Sequence, residues 1–186
     1  MIFFTADTHF DHENIIRLCG RPYETIEQMN EDMISKWNRK VTNSDSVYIL
    51  GDMFFRSKDP EAILGRLRGK KYLIIGNHDT WIKRVDTDRY FEEVSHYMTL
   101  SDGQRGLVLC HYPQICWPHQ QRFYMIHGHI HGDTDGDYWP LLAARERALN
   151  AGADINGFAP VTFEELVENN RRFKEQYKKE QEGSHE

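Results

Sequence analysis

Two hydrophobic periods share this chain. Ile2-Phe3-Phe4, Val47-Tyr48-Ile49-Leu50 and Tyr72-Leu73-Ile74-Ile75 are short apolar runs that read as buried strands. Between the first two, Ile26, Met29, Met33, Ile34 and Trp37 fall at helical spacing and predict an amphipathic helix over residues 25–37. Between the second and third, Asp59-Pro60-Glu61 is a helix start, with Asp as the cap and Pro in the first turn. That helix is expected to bury Ile63, Leu64 and Leu67 and to end near Gly69. The first half therefore alternates strand and helix, with connections long enough for parallel crossovers.

The second half is richer in strands. Residues 94–100, 107–110 and 122–126 are strand-like, and Asp102-Gly103 joins the first two as a hairpin. Residues 148–152 form another short strand, and 132–146 read as a loop. Pro160-Val161-Thr162-Phe163-Glu164-Glu165 opens a last helix with a capping box between Thr162 and Glu165. The mostly charged tail from about Lys174 is expected to fray. No repeat or linker interrupts the pattern, so residues 1–186 are expected to form a single domain.

The apolar runs end alike. The first leads into Asp7-Thr8-His9, the second into Gly51-Asp52 and the third into Gly76-Asn77-His78-Asp79. Leu107-Val108-Leu109-Cys110 leads into His111, and Phe123-Tyr124-Met125-Ile126 into His127-Gly128-His129-Ile130-His131. Ligands gather at the carboxyl ends of strands in α/β folds, so these residues are able to converge. Asp7, Asp52, Asn77, His9, His111, His129 and His131 are too many for one ion and suit two borderline divalent cations such as Mn, Fe or Zn. A carboxylate is able to bridge such a pair, which activates water and clamps a phosphoryl group. The ligand-dense stretch from Asp7 to Asn14 is not itself expected to be core.

Composition narrows the classes. A formal net charge of −6 argues against a strongly basic nucleic-acid surface and leaves only a local basic groove open. Ten histidines, several beside Asp or Gly at strand ends, fit a metal site. Cys19, Cys110 and Cys116 form no CxxC pair, so a reducing compartment fits better than a disulfide framework. Neither a signal peptide nor a membrane-length apolar run is visible, and the default location is cytoplasmic.

In their order, Asp7-Thr8-His9, Gly51-Asp52, Gly76-Asn77-His78-Asp79, His111 and Gly128-His129-Ile130-His131 resemble the signature blocks of the calcineurin-like metallophosphoesterases, in a small bacterial or phage-type form. The resemblance implies an α/β fold, a four-layered α/β/β/α sandwich of two mixed sheets flanked by helices. It implies one metal held by Asp7, His9, Asp52 and His131, and another by Asp52, Asn77, His111 and His129. It implies hydrolysis of a phosphodiester or phosphomonoester by in-line attack of a metal-bridging hydroxide. His78 would serve as leaving-group acid, and Asp79 is expected to hydrogen-bond and orient it. His12 and Asn14 are expected to line the phosphate pocket, with Arg17, Arg21 and Arg56 as candidate guanidinium contacts.

Each residue also has a plainer reading. His111 alone is more often structural, and His127 continues the alternation without being needed. His96, His119 and His185 read as surface residues, and Trp117, Tyr138 and Trp139 as core or loop anchors more than base-stacking groups. Asp133-Thr134-Asp135-Gly136-Asp137 fails as a calcium loop, because Tyr138 and Ala144 stand where Gly and Glu are needed. Competing functions are a scaffold that keeps the fold without the chemistry, and a nuclease, which is admitted but not favoured. The resemblance also leaves room for a homodimer.

Overall fold

The computed structural model describes residues 1–183; His185, expected at the surface, lies outside the described residues. Eight strands form two four-stranded sheets. In the first, β1 (Ile2–Thr5), β2 (Ser46–Ile49), β3 (Lys70–Ile74) and β4 (Phe91–Ser95) lie in sequence order and all pair in parallel. In the second, β5 (Tyr97–Ser101) and β6 (Gly106–Cys110) form the expected antiparallel hairpin. Strands β7 (Tyr124–His127) and β8 (Ala148–Asn150) follow in parallel.

Strand alternation builds the layers. Phe3, Val47, Ile49 and Leu73 point outward from the first sheet, against Met29, Met33, Ile34 and Trp37 of α2 (Ile26–Lys40) and Ile63 and Leu64 of α3 (Pro60–Leu64). Their neighbours Phe4, Leu50 and Ile74 point inward, where they meet Leu107, Leu109, Ile126 and Leu149 of the second sheet. On that sheet's far face, Val108, Met125 and Ala148 pack with Trp117, Trp139 and Leu142. Phe173 and Tyr177 of α5 (Phe163–Gly183) complete this layer. Helices, sheet, sheet and helices make the four-layered α/β/β/α sandwich, but only the second sheet is mixed as expected; the first is wholly parallel. Among the described residues, no helix is long and apolar enough to cross a membrane.

Caps act where the sequence places them. Thr25 accepts from the Gln28 N–H at 3.2 Å, Asp59 from the Ala62 N–H at 3.2 Å, and Thr162 and Glu165 make a reciprocal capping box. Several expectations need correction. The single strand expected over 94–100 is two strands, because the chain leaves the first sheet at Ser95 and enters the second at Tyr97. The loop expected over 132–146 contains α4 (Trp139–Ala143), nucleated by Pro140 and anchored by buried Trp139. Helix α3 stops at Leu64 instead of near Gly69. The tail does not fray at Lys174: α5 continues to Gly183, and the Lys174 ammonium donates to the carbonyls of Arg145 and Ala148. The stretch after β1 is core after all, with Asp7, Thr8, His9, Phe10 and His12 buried, and it runs into a short helix, α1 (Glu13–Leu18).

Candidate metal centre

The loops leaving β1, β2, β3, β6 and β7 are stitched to one another. The Asp7 N–H donates to Gly51 O at 2.9 Å, the His9 N–H to Asp52 O at 3.1 Å and the Gly128 N–H to His111 O at 3.0 Å. Across the two sheets, the His129 N–H donates to the Asp7 carboxylate at 2.9–3.0 Å. The backbone turns hard at these points. Asp7 (φ 52°), His9 (49°), Asp52 (52°), His129 (74°) and His131 (50°) are all left-handed. Each such non-glycine residue costs about 1–3 kcal/mol and persists where surrounding structure forces it, typically at functional sites.

Two ligand groups result. In each of the sets Asp7, His9, His131 and Asp52, His111, His129, one ligand atom per residue lies within 4.8 Å of the others. Asp52 lies between them, with Oδ2 at 3.8 Å from His9 Nε2 and 3.5 Å from His111 Nε2. Asn77 Oδ1 is 3.1 Å from His111 Nε2 and so joins the second set. Gly76 makes the approach feasible: a Cβ there would meet the Asp52 carboxylate and stand 2.5 Å from its backbone nitrogen.

The electrostatics ask for cations. His9 Nε2 is buried without a hydrogen-bond partner, facing the Asp52 carboxylate. An orphaned imidazole nitrogen beside a carboxylate is poor protein interior and good metal-ligand geometry. Burial pushes the Asp7 carboxyl up to about 7, against the opposing pull of His131 and His111. Burial works to lower His131, but its hydrogen bonds to Asp154 and Cys19 and the charge of Asp7 prevail and push it up to about 10. Burial similarly opposes ionisation of Asp52, yet the hydrogen bond and charge of His111, with the His78 N–H, hold its pKa below the usual range. Burial lowers His9 and His129, while His111, against its own burial, is raised by its bond to Asp52 and the charges of Asp7 and Asp52. The donor set of carboxylate and amide oxygens and imidazole nitrogens fits divalent metal ions.

Residues behind the ligands set their orientation. His111 Nδ1 donates to Leu50 O at 2.7 Å, which leaves Nε2 facing the centre. His131 Nδ1 lies 2.8 Å from Asp154 Oδ2. Asp154 ends the stretch Leu149-Asn150-Ala151-Gly152-Ala153-Asp154, which resembles the same small branch of the family but assigns it no role; its signal is its place just after β8, as the other candidate ligands follow their strands. Asn150 adds a bond from its amide to His131 O at 2.7 Å.

Two expected roles change. Arg21 is buried, and its guanidinium is spent on Asp154 and on the carbonyls of Asp7 and Thr8, so it braces the loops and is not free for substrate. Asp79 does not orient His78. Its carboxylate accepts from the N–H groups of Asp52, Met53 and Gly76 and from Trp81 Nε1, at 2.7–2.9 Å. It therefore ties the β2 loop to the β3 loop.

The rim is aromatic. Phe55 stacks on His12 with centroids 3.9 Å apart and meets His78 edge-on at 5.0 Å. The His78 ring is 5.6 Å from that of His9, and the His78 backbone N–H donates to Asp52 Oδ1 at 2.8 Å. The Arg56 guanidinium lies 5.2 Å from the Phe55 centroid. His12 Nδ1 is 3.3 Å from His9 Nδ1. Asn14 and Arg17 are exposed on α1, outside this cluster of rings. His127 is buried with Nδ1 on Gly128 O, a structural position, while His96 and His119 are exposed. Trp117 and Trp139 are buried core residues.

Comparisons with known proteins agree with this geometry. The family model for calcineurin-like phosphoesterases matches residues 1–176. The chain is 30% identical over 169 residues to the uncharacterized protein MJ1445 of Methanocaldococcus jannaschii, covering 89% of each. It is 32% identical over 189 residues to the gene 66 protein of Mycobacterium phage L5, covering 83% of this chain and 87% of that protein. Among solved structures, the protein of unknown function AQ665 from Aquifex aeolicus superposes with a TM-score of 0.71 at 26% identity, covering 90% of this chain and 98% of that one. The chain belongs to the calcineurin-like phosphoesterase family.

Proposed function

We propose that the protein hydrolyses a phosphate ester, a phosphodiester or phosphomonoester, at a centre of two divalent metal ions. The observation that carries this is the meeting of two ligand groups on Asp52, with His9 Nε2 buried and unpartnered between them. Asp7, His9 and His131 would hold one ion, Asn77, His111 and His129 the other, and Asp52 would serve both. Such ions, Mn, Fe, Zn or similar, activate water and withdraw charge from the phosphoryl oxygens.

The chain's own residues do the rest. Arg56 and His12, gathered around Phe55, supply donors on the open side for the phosphoryl oxygens. Asn14 and Arg17 lie further out on α1 and remain candidates for the distal part of a substrate. As water forms its bond to phosphorus in line with the departing oxygen, His78 gives that oxygen a proton. The buried floor, with Asp7 and His9 only 0–2% exposed, keeps bulk water from competing.

The site draws Asp7, Asp52 and Asn77 from the first sheet and His111 and His129 from the second. That division favours one functional domain over two. Asp133 and Asp135, which line the same cleft as His131, oppose a strand of nucleic acid there. The test is hydrolysis of bis(p-nitrophenyl) phosphate and p-nitrophenyl phosphate with added Mn2+. Asp52→Asn is expected to abolish turnover, and His78→Ala to lower kcat by about 10²–10⁴-fold. No turnover of either ester by the intact protein with any of Mn2+, Fe2+ or Zn2+ would favour a non-catalytic scaffold.

A further inference from the structure

His131 belongs to two clusters. One is the group with Asp7 and His9; the other joins Cys19, His131 and Asp154, again with one ligand atom of each within 4.8 Å of the others. The ring has an edge for each. Nδ1 faces Asp154 Oδ2 at 2.8 Å, and the opposite edge is left for Asp7 and His9. Cys19 is a free, half-buried thiol at the end of α1, with its sulfur within 4.8 Å of a ligand atom of His131 and of Asp154. All three residues line a cleft of about 1050 Å³ between the loop after His129 and α5, so the cluster opens to solvent and is reachable by an ion.

We propose that Cys19, His131 and Asp154 form an additional site for a soft divalent cation such as Zn2+, which antagonises the catalytic centre through the shared histidine. The donor set is thiolate, imidazole and carboxylate, which selects Zn2+ or Cd2+ over Mn2+ or Mg2+. Ligand atoms around a tetrahedral zinc ion lie about 3.3–3.8 Å apart, given Zn–S near 2.3 Å and Zn–N near 2.0 Å, so a side-chain shift of about 1 Å closes this cluster. Asp154 retains lone pairs for the purpose, since Arg21 Nε takes Oδ1 while Arg21 Nη2 and His131 share Oδ2. Water from the cleft would complete the fourth position.

Binding exchanges protons for metal: the Cys19 thiol and the His131 Nδ1 each release one, and no oxidant or reductant is involved. The consequence for the proposed metal centre is electrostatic and geometric. The hydrogen bond from His131 to Asp154, which holds the ring toward Asp7 and His9, is replaced by a cation. A second positive charge then stands on the far edge of a ring that must itself donate to a metal. The binding half of the inference stands alone; the antagonism rests on the phosphoesterase reading above.

The experiment titrates Cd2+ into the full-length, Mn2+-loaded protein and follows the thiolate-to-cadmium charge-transfer absorption. A saturable band is expected in the wild type, Cys110→Ser and Cys116→Ser, and its loss in Cys19→Ser. Bound Cd2+ is also expected to protect Cys19 of the wild type from iodoacetamide, mapped by peptide mass spectrometry, which reads the site without any substitution. In the ester assay, excess Zn2+ is expected to inhibit the wild type, with the inhibition shifted to higher zinc in Cys19→Ser. A band that survives in Cys19→Ser, or alkylation of Cys19 unaffected by Cd2+, overturns the site. Zinc inhibition identical in wild type and Cys19→Ser overturns the antagonism. A Cys19-dependent band in a protein that hydrolyses no ester upholds the cation site and sinks the phosphoesterase reading instead.

Discussion

Asp79→Asn separates two accounts of the Gly76-Asn77-His78-Asp79 turn. If Asp79 oriented His78, its substitution would alter proton delivery and leave the fold alone. The structure instead gives each carboxylate oxygen two donors, with the Asp52 and Gly76 N–H groups on Oδ2 and the Met53 N–H and Trp81 Nε1 on Oδ1. An asparagine amide replaces one oxygen by an NH2 group, so two of these donors face another donor. Each buried orphan costs about 1–3 kcal/mol, or about 2–6 kcal/mol together. The buried carboxylate is itself penalised, since burial raises its pKa in spite of the donors. Removing its charge returns part of that penalty, which places the net loss near 2–4 kcal/mol. A domain with about 5–15 kcal/mol of stability survives this and shows it clearly. The assay is urea denaturation followed by circular dichroism in EDTA and again with saturating Mn2+. The midpoint is expected to fall in both, and Mn2+ affinity with it, because Asp52 and Gly76 lose their common anchor. Unchanged stability with only a displaced pH–rate profile would refute this account and restore the orienting role.

Further outcomes test the rest of the centre. Asp154→Asn is expected to weaken metal binding about 10–100-fold by calorimetry, as losing a partner behind a ligating histidine typically does; equal affinities would remove Asp154 from the orienting role. Gly76→Ala places a methyl group against the Asp52 carboxylate, so metal content after purification is expected to drop while secondary structure persists; a fully loaded variant would show that the loop yields freely. Metal binding by the apo protein is expected to release protons, since Asp7, raised to about 7, and His131, raised to about 10, must both give up a proton to ligate. More are released at pH 6, where Asp7 still holds its proton, than at pH 8.5, where it has already lost it; titration in weakly buffered solution reads the difference, and an opposite trend would reject the raised Asp7. Arg21→Ala is expected to cost stability, about 1.5–3 kcal/mol for the charge-assisted bonds lost from Asp154, which keeps His131, with little effect on KM; a raised KM at unchanged stability would return Arg21 to the substrate.

What the sequence discloses and what it hides follow from how far each decision reaches. Asp7, Asp52, Asn77, His111 and His129 are legible because each follows an apolar run, and parallel strands deliver their ends to one edge. The layers are legible for a related reason: alternation sends Phe3 to one core and Phe4 to the other, and neighbours such as Val47 and Tyr48 repeat the choice. The break at His96 is not marked, because no Gly or Pro interrupts 94–100 and only pairing with β3 on one side and β6 on the other divides it. The role of Asp154 stays hidden because its partners, Arg21 and His131, are distant in sequence and meet only when β8 docks beside β7. Asp79 misleads for the opposite reason. Adjacency to His78 suggests a pair, but the 3-10 turn over Thr80–Arg84 carries the chain away and leaves the carboxylate pointing back under Gly76. The left-handed backbone at Asp7, His9, Asp52, His129 and His131 is equally unannounced, since glycine, its usual marker, is absent from all five positions. Strain of that kind has to be overcome by tertiary bonds, here the Asp79 and Arg21 anchors. The candidate ligands are therefore written locally, while the rigidity that gathers them into one site is written in residues whose partners lie elsewhere in the chain.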